Sequence, residues 1–324
     1  MSNLPPPESP KTPVRAGSKQ VLADLKWCGP DCQLPRWGLD QAFDYCEKLA
    51  KNHYENFSVT NLWLPGDLRA HFASVYAYCR WSDDLADEIA DPVRSVKLLE
   101  WWRSELHKTP QGDSLHPVFV ALHQTIETFS LSIDSFDDLL SAFVQDQTVT
   151  SYEDDPQLLD YCRRSANPVG RIILGLARTN SPQALAWSDS ICTGLQIANF
   201  CQDVSLDAAR GRFYLPKERL DQGRITRSEW GQGSQPARKV LEAWTEQARN
   251  HLSSGARLAD HGPNWLRRSV RLFIAGGIQI LDNIARNRFD VWSQPVEVTK
   301  FQKINLAVWA ALGPPKRYGA KLRA

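Results

Sequence analysis

The sequence lacks any run of about 18 apolar residues, so no membrane-spanning helix is expected. It also lacks an excess of one charge sign. Because 38 basic residues are balanced by 37 acidic ones, nothing favours nucleic acid as a partner. The start of the chain has no apolar core typical of a secretory signal. Its composition, rich in Pro, Ser and Lys, predicts a disordered tail over residues 1–20.

A disulfide framework is absent as well. Seven cysteines, an odd number without framework spacing, are typical of a reducing cytosol and predict a cytoplasmic protein. Cys28 and Cys32 form a C-x3-C pair beside Gly29-Pro30. We interpret them as two free thiols near a turn, because a zinc site would need two further ligands nearby.

Strand-type alternation of apolar and polar residues is scarce, and apolar residues recur instead with a helical period, which predicts an all-α fold. No internal repeat or shift of composition marks a domain boundary. One domain is therefore expected over residues 21–315, followed by a basic tail at 316–324 that suits either solvent or anionic lipid. Residues 208–236 are a predicted loop. The predicted helices cover residues 38–52, 66–90, 92–108, 115–130, 134–149, 156–178, 181–207, 237–260, 263–291 and 297–312.

An acidic motif, Asp-Asp-Leu-Ala-Asp-Glu, occupies residues 83–88 at the end of the second predicted helix. Asp83 and Asp87 stand at i and i+4, so a helix places them on one face, about 6 Å apart at their Cβ atoms. Like charges repel at that spacing, and a bound divalent cation would reverse this cost. Taken alone, however, an acidic helix face is usually just solvated.

A second polar stripe consists of Asn199, Asp203 and Asp207, at i, i+4 and i+8 of another predicted helix. The residues around it, such as Ile197 and Phe200, are apolar. A polar stripe in an apolar helix must find hydrogen-bond partners or face a wet cavity. This stripe therefore predicts either a buried hydrogen-bond network or a ligand site.

Together, the two motifs favour a metal-diphosphate site. Hard oxygen ligands on facing helices suit Mg²⁺, which prefers few carboxylates, retained waters and phosphate oxygens. Arg80 precedes Asp83 by three residues, and Arg210 and Arg212 follow shortly after Asp207. A guanidinium fork matches phosphate oxygens, although each arginine taken singly also fits an ordinary surface position.

At this point the chain resembles the squalene and phytoene synthase family, the trans-isoprenyl diphosphate synthases of the head-to-head kind. The resemblance covers roughly residues 45–312, and two ordered acidic motifs followed by Arg-x-Tyr-Leu-Pro make it specific. It implies a class I isoprenoid synthase bundle of helices around a central cavity. The five matched segments are residues 53–57, 76–88, 161–170, 196–207 and 211–216.

Within the family, the chain is most similar to the bacterial hydroxysqualene synthases. It departs from the broader pattern at three places. Residues 54–57 read Tyr-Glu-Asn-Phe instead of Ser-x-Ser-Phe, Gln202 replaces an arginine, and Gly277 stands where a tyrosine often precedes Ile-x-Ile-Leu. These departures remove groups that handle diphosphate while two prenyl diphosphates are joined. They imply a substrate that is already coupled, presqualene diphosphate.

The resemblance also implies roles for individual residues. More than one Mg²⁺ ion is expected to neutralise the charge that grows on the leaving diphosphate. The implied metal ligands are Asp83, Asp87, Asn199, Asp203 and Asp207, and the four aspartates together with Tyr76 form the implied catalytic set. The residues implied around the substrate are Asn56, Phe57, Arg80, Asn167, Arg171, Gln196, Asn199, Arg212 and Tyr214.

Two steps after ionisation also have candidate residues. Phe57, Phe200 and Tyr76 are candidates for stabilising a carbocation through cation–π attraction, although core packing explains Phe57 and Phe200 equally well. Residues 54–56 are candidates for positioning the water that ends the reaction.

The resemblance further implies an isoprenoid diphosphate substrate and no nicotinamide cofactor. It implies loose contact with the inner face of the cytoplasmic membrane, because the substrate is greasy, and functional coupling to a presqualene diphosphate synthase and a flavin-dependent reductase. The nearest alternatives are family members that join two prenyl diphosphates. Motif order disfavours a class I terpene cyclase, and the intact acidic motifs disfavour a non-catalytic assembly factor of the same fold.

Overall fold

The computed structural model describes residues 18–51 and 63–312, and it confirms the predicted all-α fold over these residues. Short 3₁₀ helices lie at 66–68, 109–111 and 256–260, and one isolated bridge pairs Ser151 with Phe213. The α-helices are α1 (Ser18–Cys28), α2 (Leu39–Lys51), α3 (Arg69–Asp87), α4 (Pro92–Lys108), α5 (Pro117–Phe129), α6 (Ile133–Gln145), α7 (Asp155–Ser165), α8 (Asn167–Leu176), α9 (Pro182–Gln202), α10 (Val204–Ala209), α11 (Lys217–Gln222), α12 (Arg227–Gly231), α13 (Gln235–Ser254), α14 (Asn264–Arg286) and α15 (Lys300–Leu312).

Several helix starts lie where the sequence places them, because a capping side chain is followed by proline. The side chain of Asp91 accepts a hydrogen bond from the amide of Val93 at the start of α4. Ser181 does the same for Ala184 at the start of α9. Each cap satisfies an amide that has no partner within the helix, and the proline that follows needs none.

Two predicted helices are each divided in the structure. The prediction over 156–178 is wrong at Ala166, where α7 ends and α8 begins, because Pro168 has no amide hydrogen to continue the α7 ladder. The prediction over 181–207 is wrong at Asp203, whose φ of −98° and ψ of 17° separate α9 from α10.

Other boundaries also differ from the prediction. The helix predicted to reach residue 291 ends at Arg286, since Arg288 and Phe289 adopt positive φ angles of 55° and 57°. The predicted loop at 208–236 contains α11 and α12. Helix α1 was not predicted, and its first residues fall in the expected tail. The remaining expected tail residues, 1–17 and 316–324, lie outside the described residues.

The buried side chains form two hydrophobic clusters. The first is built mainly from α2 to α6 around the fully buried Trp81 and Trp102, whose rings stack with centroids 5.0 Å apart. The second is built mainly from α7 to α14 around Trp244, on the long contact between α9 and α13. Helix α3 packs within the first cluster and α9 within the second, so the two acidic motifs lie on different halves of the core.

No helix within the described ranges is both long and apolar enough to span a membrane.

Candidate active site

The first acidic motif lies at the carboxyl end of α3. Arg80 donates from Nε to the buried Asp84 at 3.1 Å, and its Nη1 lies 3.4 Å from Asp83. Burial raises the pKa of Asp84 to about 7, although the guanidinium of Arg80 opposes that rise. Asp84 therefore holds Arg80 in place from inside the core, while the half-exposed Asp83 and Tyr76 share the open face of α3 with Arg80.

The second acidic motif spans the kink between α9 and α10. Hydrogen bonds from the amide of Asp203 to the carbonyl of Asn199, at 2.9 Å, and from Asp207 to Asp203, at 2.8 Å, keep the helical spacing through the kink. Asn199, Asp203 and Asp207 consequently remain on one stripe, as predicted, and Gln196 begins that stripe one turn earlier.

Arg212 joins the two motifs. The amide of Arg212 donates to the carbonyl of Asp207 at 2.9 Å, so the segment after α10 folds back on the second motif. The guanidinium then reaches the first motif, with Nη2 lying 3.5 Å from Oδ1 of Asp87. Burial disfavours the charged guanidinium, but Tyr214, Asp87 and Asp146 raise the pKa of Arg212 above its usual value. The two acidic motifs thus face one shared cationic group.

The carboxylates of this site are crowded. Burial raises the pKa of Asp207 to about 6, and the neighbouring Asp203 raises it further, whereas Arg212 and Arg210 lower it. Two carboxylates that repel each other in a partly buried place are stabilised by added positive charge. The electrostatics of the second motif therefore suit a bound cation.

Asp146 and Tyr161 belong to the same site, although no role was predicted for either. The Tyr161 hydroxyl donates to Asp146 Oδ2 at 2.8 Å. Burial raises the pKa of Asp146 to about 6, the hydrogen bond from Tyr161 and the charge of Arg212 oppose this rise, and Asp87 adds to it. Tyr161 lies in a segment that carries the family resemblance, but Asp146, just after α6, gives no spacing signal in the sequence.

Tyr214 is held by an aromatic stack. Its ring lies 4.0 Å from that of Phe200, centroid to centroid, at an interplanar angle of 11°, and Phe200 in turn stacks near Trp244 at 6.3 Å. Burial raises the pKa of Tyr214 to about 12. The Phe200 ring is therefore buried in an aromatic stack beside the site.

The remaining predicted residues lie apart from this group or outside the described residues. Arg171 forms a two-point ion pair with Asp189 of α9, at 3.0 and 2.6 Å. The buried Asn167 accepts a hydrogen bond from the hydroxyl of Thr193 at 3.0 Å. Both contacts fix α8 on α9 and do not join either residue to the acidic motifs. Asn56 and Phe57 lie in residues 52–62, outside the described residues.

Two of the three places where the sequence departs from the family pattern, Gln202 and Gly277, lie within the described residues. The structure shows what surrounds each of them. The side-chain amide of Gln202 donates to the carbonyl of Val296 at 2.8 Å, so it anchors the segment before α15. At Gly277 a Cβ atom would lie 2.8 Å from Leu195 and 3.0 Å from Leu252. A tyrosine at this position would require both leucines to move.

The donor set limits how a metal could be held. Among the described residues, no three His, Cys, Asp or Glu side chains converge on one point. The carboxylates available to hold a metal ion therefore form two pairs, Asp83 with Asp87 and Asp203 with Asp207. Mg²⁺ is commonly held by one or two carboxylates together with substrate phosphates and water, so these pairs fit the ion when a diphosphate completes its shell.

Comparison with known proteins gives consistent matches. A family model described as squalene/phytoene synthase matches residues 50–302. A hydroxysqualene synthase of Zymomonas mobilis is 32% identical over 267 residues, which are 80% of this chain and 88% of the relative. A phytoene synthase of Arthrospira platensis is 28% identical over 283 residues, covering 81% of this chain and 90% of the relative.

Solved structures give the same picture. The squalene synthase HpnC of Alicyclobacillus acidocaldarius superposes with a TM-score of 0.75 at 37% identity, covering 78% of this chain and 95% of the other. A dehydrosqualene synthase in complex with a ligand superposes with a TM-score of 0.75 at 22% identity, covering 87% of this chain and 98% of the other. The second likeness shows the fold.

Proposed function

The chain belongs to the squalene/phytoene synthase family, and on that premise we propose that it converts presqualene diphosphate and water to hydroxysqualene and diphosphate. The observation that carries the proposal is the reach of Arg212 from the second acidic motif to Asp87 of the first, at 3.5 Å. This contact puts the partly buried guanidinium of Arg212 beside Asp87, and the same group interacts electrostatically with Asp207, so it can pair with the charge of a departing diphosphate.

Ionisation depends on groups that accept negative charge. As the carbon–oxygen bond breaks, its electron pair leaves on the diphosphate, and Arg212 and Arg80 are placed to pair with that charge. The carboxylate pairs Asp83 with Asp87 and Asp203 with Asp207 would hold Mg²⁺, which supplies further neutralisation when bound. Asn199, an exposed residue of the second stripe, would add an amide oxygen to the Asp203 and Asp207 pair.

The chain then controls the carbocation. Half-buried aromatic side chains such as Tyr76 and Tyr214 border the site and exclude bulk water from it. After rearrangement, one water oxygen bonds to the cationic carbon and one proton is released. No hydride is needed, so the proposed reaction uses no nicotinamide cofactor.

The departures from the family pattern support a coupled substrate. Gln202 is engaged with Val296, and Leu195 and Leu252 fill the space beside Gly277. Neither position offers the charge or hydroxyl that would help bind a second prenyl diphosphate. The relative named hydroxysqualene synthase, at 32% identity, supports the same choice.

The proposed reaction also implies which enzymes supply its substrate and use its product. Its substrate must come from an enzyme that couples two prenyl diphosphates, and its alcohol product suits a flavin-dependent reductase. A greasy substrate favours transient contact with the cytoplasmic face of a membrane.

Head-to-head condensation of two prenyl diphosphates is the second candidate. It is favoured by the phytoene synthase relative, whose sequence this chain matches over 90% of its length. Both candidates use the same ionisation site, so they differ in which substrate starts the reaction.

Incubation of the purified protein with Mg²⁺ and either farnesyl diphosphate or presqualene diphosphate separates the candidates. We expect diphosphate and hydroxysqualene from presqualene diphosphate alone. Consumption of farnesyl diphosphate by itself would instead support the condensation reaction.

Asp83→Ala and Asp203→Ala should each abolish diphosphate release while the helical content measured by circular dichroism stays unchanged. Undiminished release in both variants would contradict the metal site.

A further inference from the structure

A small cavity lies directly beside the second acidic motif, and its volume is about 10 Å³. Its walls include two charged side chains and three aromatic rings, namely those of Asp207 and Arg212, and of Phe200, Tyr214 and Trp244. A buried water molecule needs a space of roughly 10–15 Å³ and about two to four polar partners. The cavity therefore has room for a single water molecule.

One wall of this cavity carries a buried polar group that lacks a partner. Trp244 is 1% exposed, and its indole N–H has no hydrogen-bond partner among the described residues. Buried polar groups nearly always have a partner, and ordered water is the usual one where no protein atom is within reach. Trp102 and Trp292 also carry an N–H without a described partner, but neither lines the cavity. At Trp244, an unpartnered N–H and a water-sized space coincide.

The other polar groups of the cavity can complete a water site. The Asp207 carboxylate accepts hydrogen bonds, the Arg212 guanidinium donates them, and the Tyr214 hydroxyl does either. The charges of Arg212 and Asp207 both act on the Tyr214 hydroxyl, so the three groups lie near one another. With the N–H of Trp244, they supply the number of partners that a buried water requires.

The cavity also lies where the proposed reaction needs a water molecule. Asp207 and Arg212 line it and at the same time belong to the acidic site that would hold the diphosphate. A water held there is next to the leaving group, where the positive charge on carbon first appears. The rings of Phe200, Trp230 and Trp244 form other parts of the wall, and the last two lie 6.5 Å apart, centroid to centroid. These rings separate the cavity from bulk water.

We propose that Trp244 is a positioning residue that holds the water molecule whose oxygen becomes the hydroxyl group of the product. This inference rests on the proposed function, because it takes the diphosphate to leave beside Arg212. An electron pair of the water oxygen forms the new bond to the cationic carbon, and one proton passes to the departed diphosphate. Because the cavity admits one water, the cation meets a held nucleophile and no bulk solvent.

Replacing Trp244 with benzothienylalanine tests this proposal, because sulfur takes the place of the N–H while the shape of the ring is kept. Without the held water, the final cation loses a proton and gives a hydrocarbon with one more double bond. We expect the ratio of this hydrocarbon to the alcohol to rise by about tenfold, with diphosphate release within about threefold of wild type. Mass spectrometry of the extracted products measures the ratio.

The same replacement at Trp292 is the matched control. Trp292 also has an unpartnered N–H and packs on Trp230, with centroids 5.2 Å apart, but it does not line the cavity. Its replacement should leave the product ratio near the wild-type value. An unchanged ratio in the folded protein with the Trp244 replacement, or an equal change at both positions, would overturn the proposal.

Val204→Ile removes the water by a different route. Val204 is buried and lines the cavity, so an added methylene would occupy the space of the water while every indole N–H is kept. The product ratio should shift in the same direction as with the Trp244 replacement. A wild-type ratio in a folded Val204→Ile protein would contradict a reacting water at this place.

Nuclear magnetic resonance of the substrate-free protein separates this inference from the proposed function. The indole N–H signal of Trp244, identified by its loss in the replaced protein, should show a direct Overhauser effect to water. The signal of Trp102, which is fully buried and also unpartnered, should show none. If water contacts Trp244 but presqualene diphosphate is not turned over, the proposed function fails and the water site stands. If the alcohol forms and no water contacts Trp244, this inference alone fails.

Discussion

At the scale of single residues, Arg212 is the group on which the site depends most. Its guanidinium contacts the first acidic motif, and its backbone amide is bonded to the second. Arg212→Gln should lower kcat by about 10²- to 10³-fold, because a preorganised group that pairs with the leaving negative charge is lost. Steady-state diphosphate release would measure this, and Arg212→Lys should recover part of the loss.

Arg227→Gln is the control for that change. Arg227 is exposed and stacks over the nearby ring of Phe213 at 4.5 Å, without contacting the motifs. Its replacement should leave kcat within about twofold of wild type. Equal losses in the two variants would show that Arg212 acts only by holding the local fold.

Asp146 gives a prediction about stability and pH. Its pKa is about 6 in the folded protein, against 3.8 for an ordinary aspartate. The folded state therefore binds more protons than the unfolded state between these values. Protonated Asp146 therefore contributes its full stabilisation of the fold below pH 4, and this stabilisation is lost as the pH rises through 6.

Asp146→Asn removes this pH dependence. The drop in unfolding free energy between pH 4 and pH 7 should be smaller in the variant than in the wild type, by about 1–2 kcal/mol. Urea unfolding at the two pH values, without added metal, measures the difference. An identical drop in both proteins would show that Asp146 is ionised normally in the fold.

The individual site residues were predictable to different degrees. Helical spacing alone predicts that Asp83 shares a face with Asp87 and Asp203 shares one with Asp207, and their role as metal ligands stays a prediction. Asp146 could not be predicted, since the contact that matters for it comes from Tyr161, which is 15 residues away on another helix.

At the scale of elements, the contact between α9 and α13 fixes the second motif. A Cβ atom added at Gly194 of α9 would lie 2.9 Å from the backbone oxygen of Ala248 and 2.9 Å from the amide nitrogen of Leu252. Backbone atoms cannot rotate away as a side chain can. Gly194→Ala should therefore destabilise the protein by about 1–3 kcal/mol in urea unfolding.

Gly276→Ala on α14 is the matched control, because nothing lies within 4 Å of the added Cβ atom. Alanine favours helix over glycine, so this variant should be stabilised by up to about 1 kcal/mol. If Gly194→Ala were as stable as Gly276→Ala, the close approach of α9 to α13 would be wrong.

The helices themselves show what periodicity can and cannot specify. It predicted most of the long helices correctly, because their apolar faces are continuous. It missed the breaks at Ala166 and Asp203, where the apolar pattern continues although the backbone bends. Periodicity reports which face is buried, and a bend between two helices that share a face leaves that pattern unchanged.

At the scale of the whole molecule, two halves of the core each carry one acidic motif. The sequence predicts both motifs, but the motifs are connected by a contact between Arg212 and Asp87, which are 125 residues apart. Contacts of such separation follow from how the two clusters pack, and local spacing carries no information about them. The family resemblance supplied that information in advance by implying one shared cavity.

The most direct test is calorimetric binding of inorganic diphosphate in the presence of Mg²⁺. The wild type would be compared with Asp83→Asn/Asp87→Asn and with Asp203→Asn/Asp207→Asn. If both motifs serve one diphosphate site, each paired variant should weaken binding by about tenfold or more, without loss of helical content. Wild-type affinity in either paired variant would contradict a shared site.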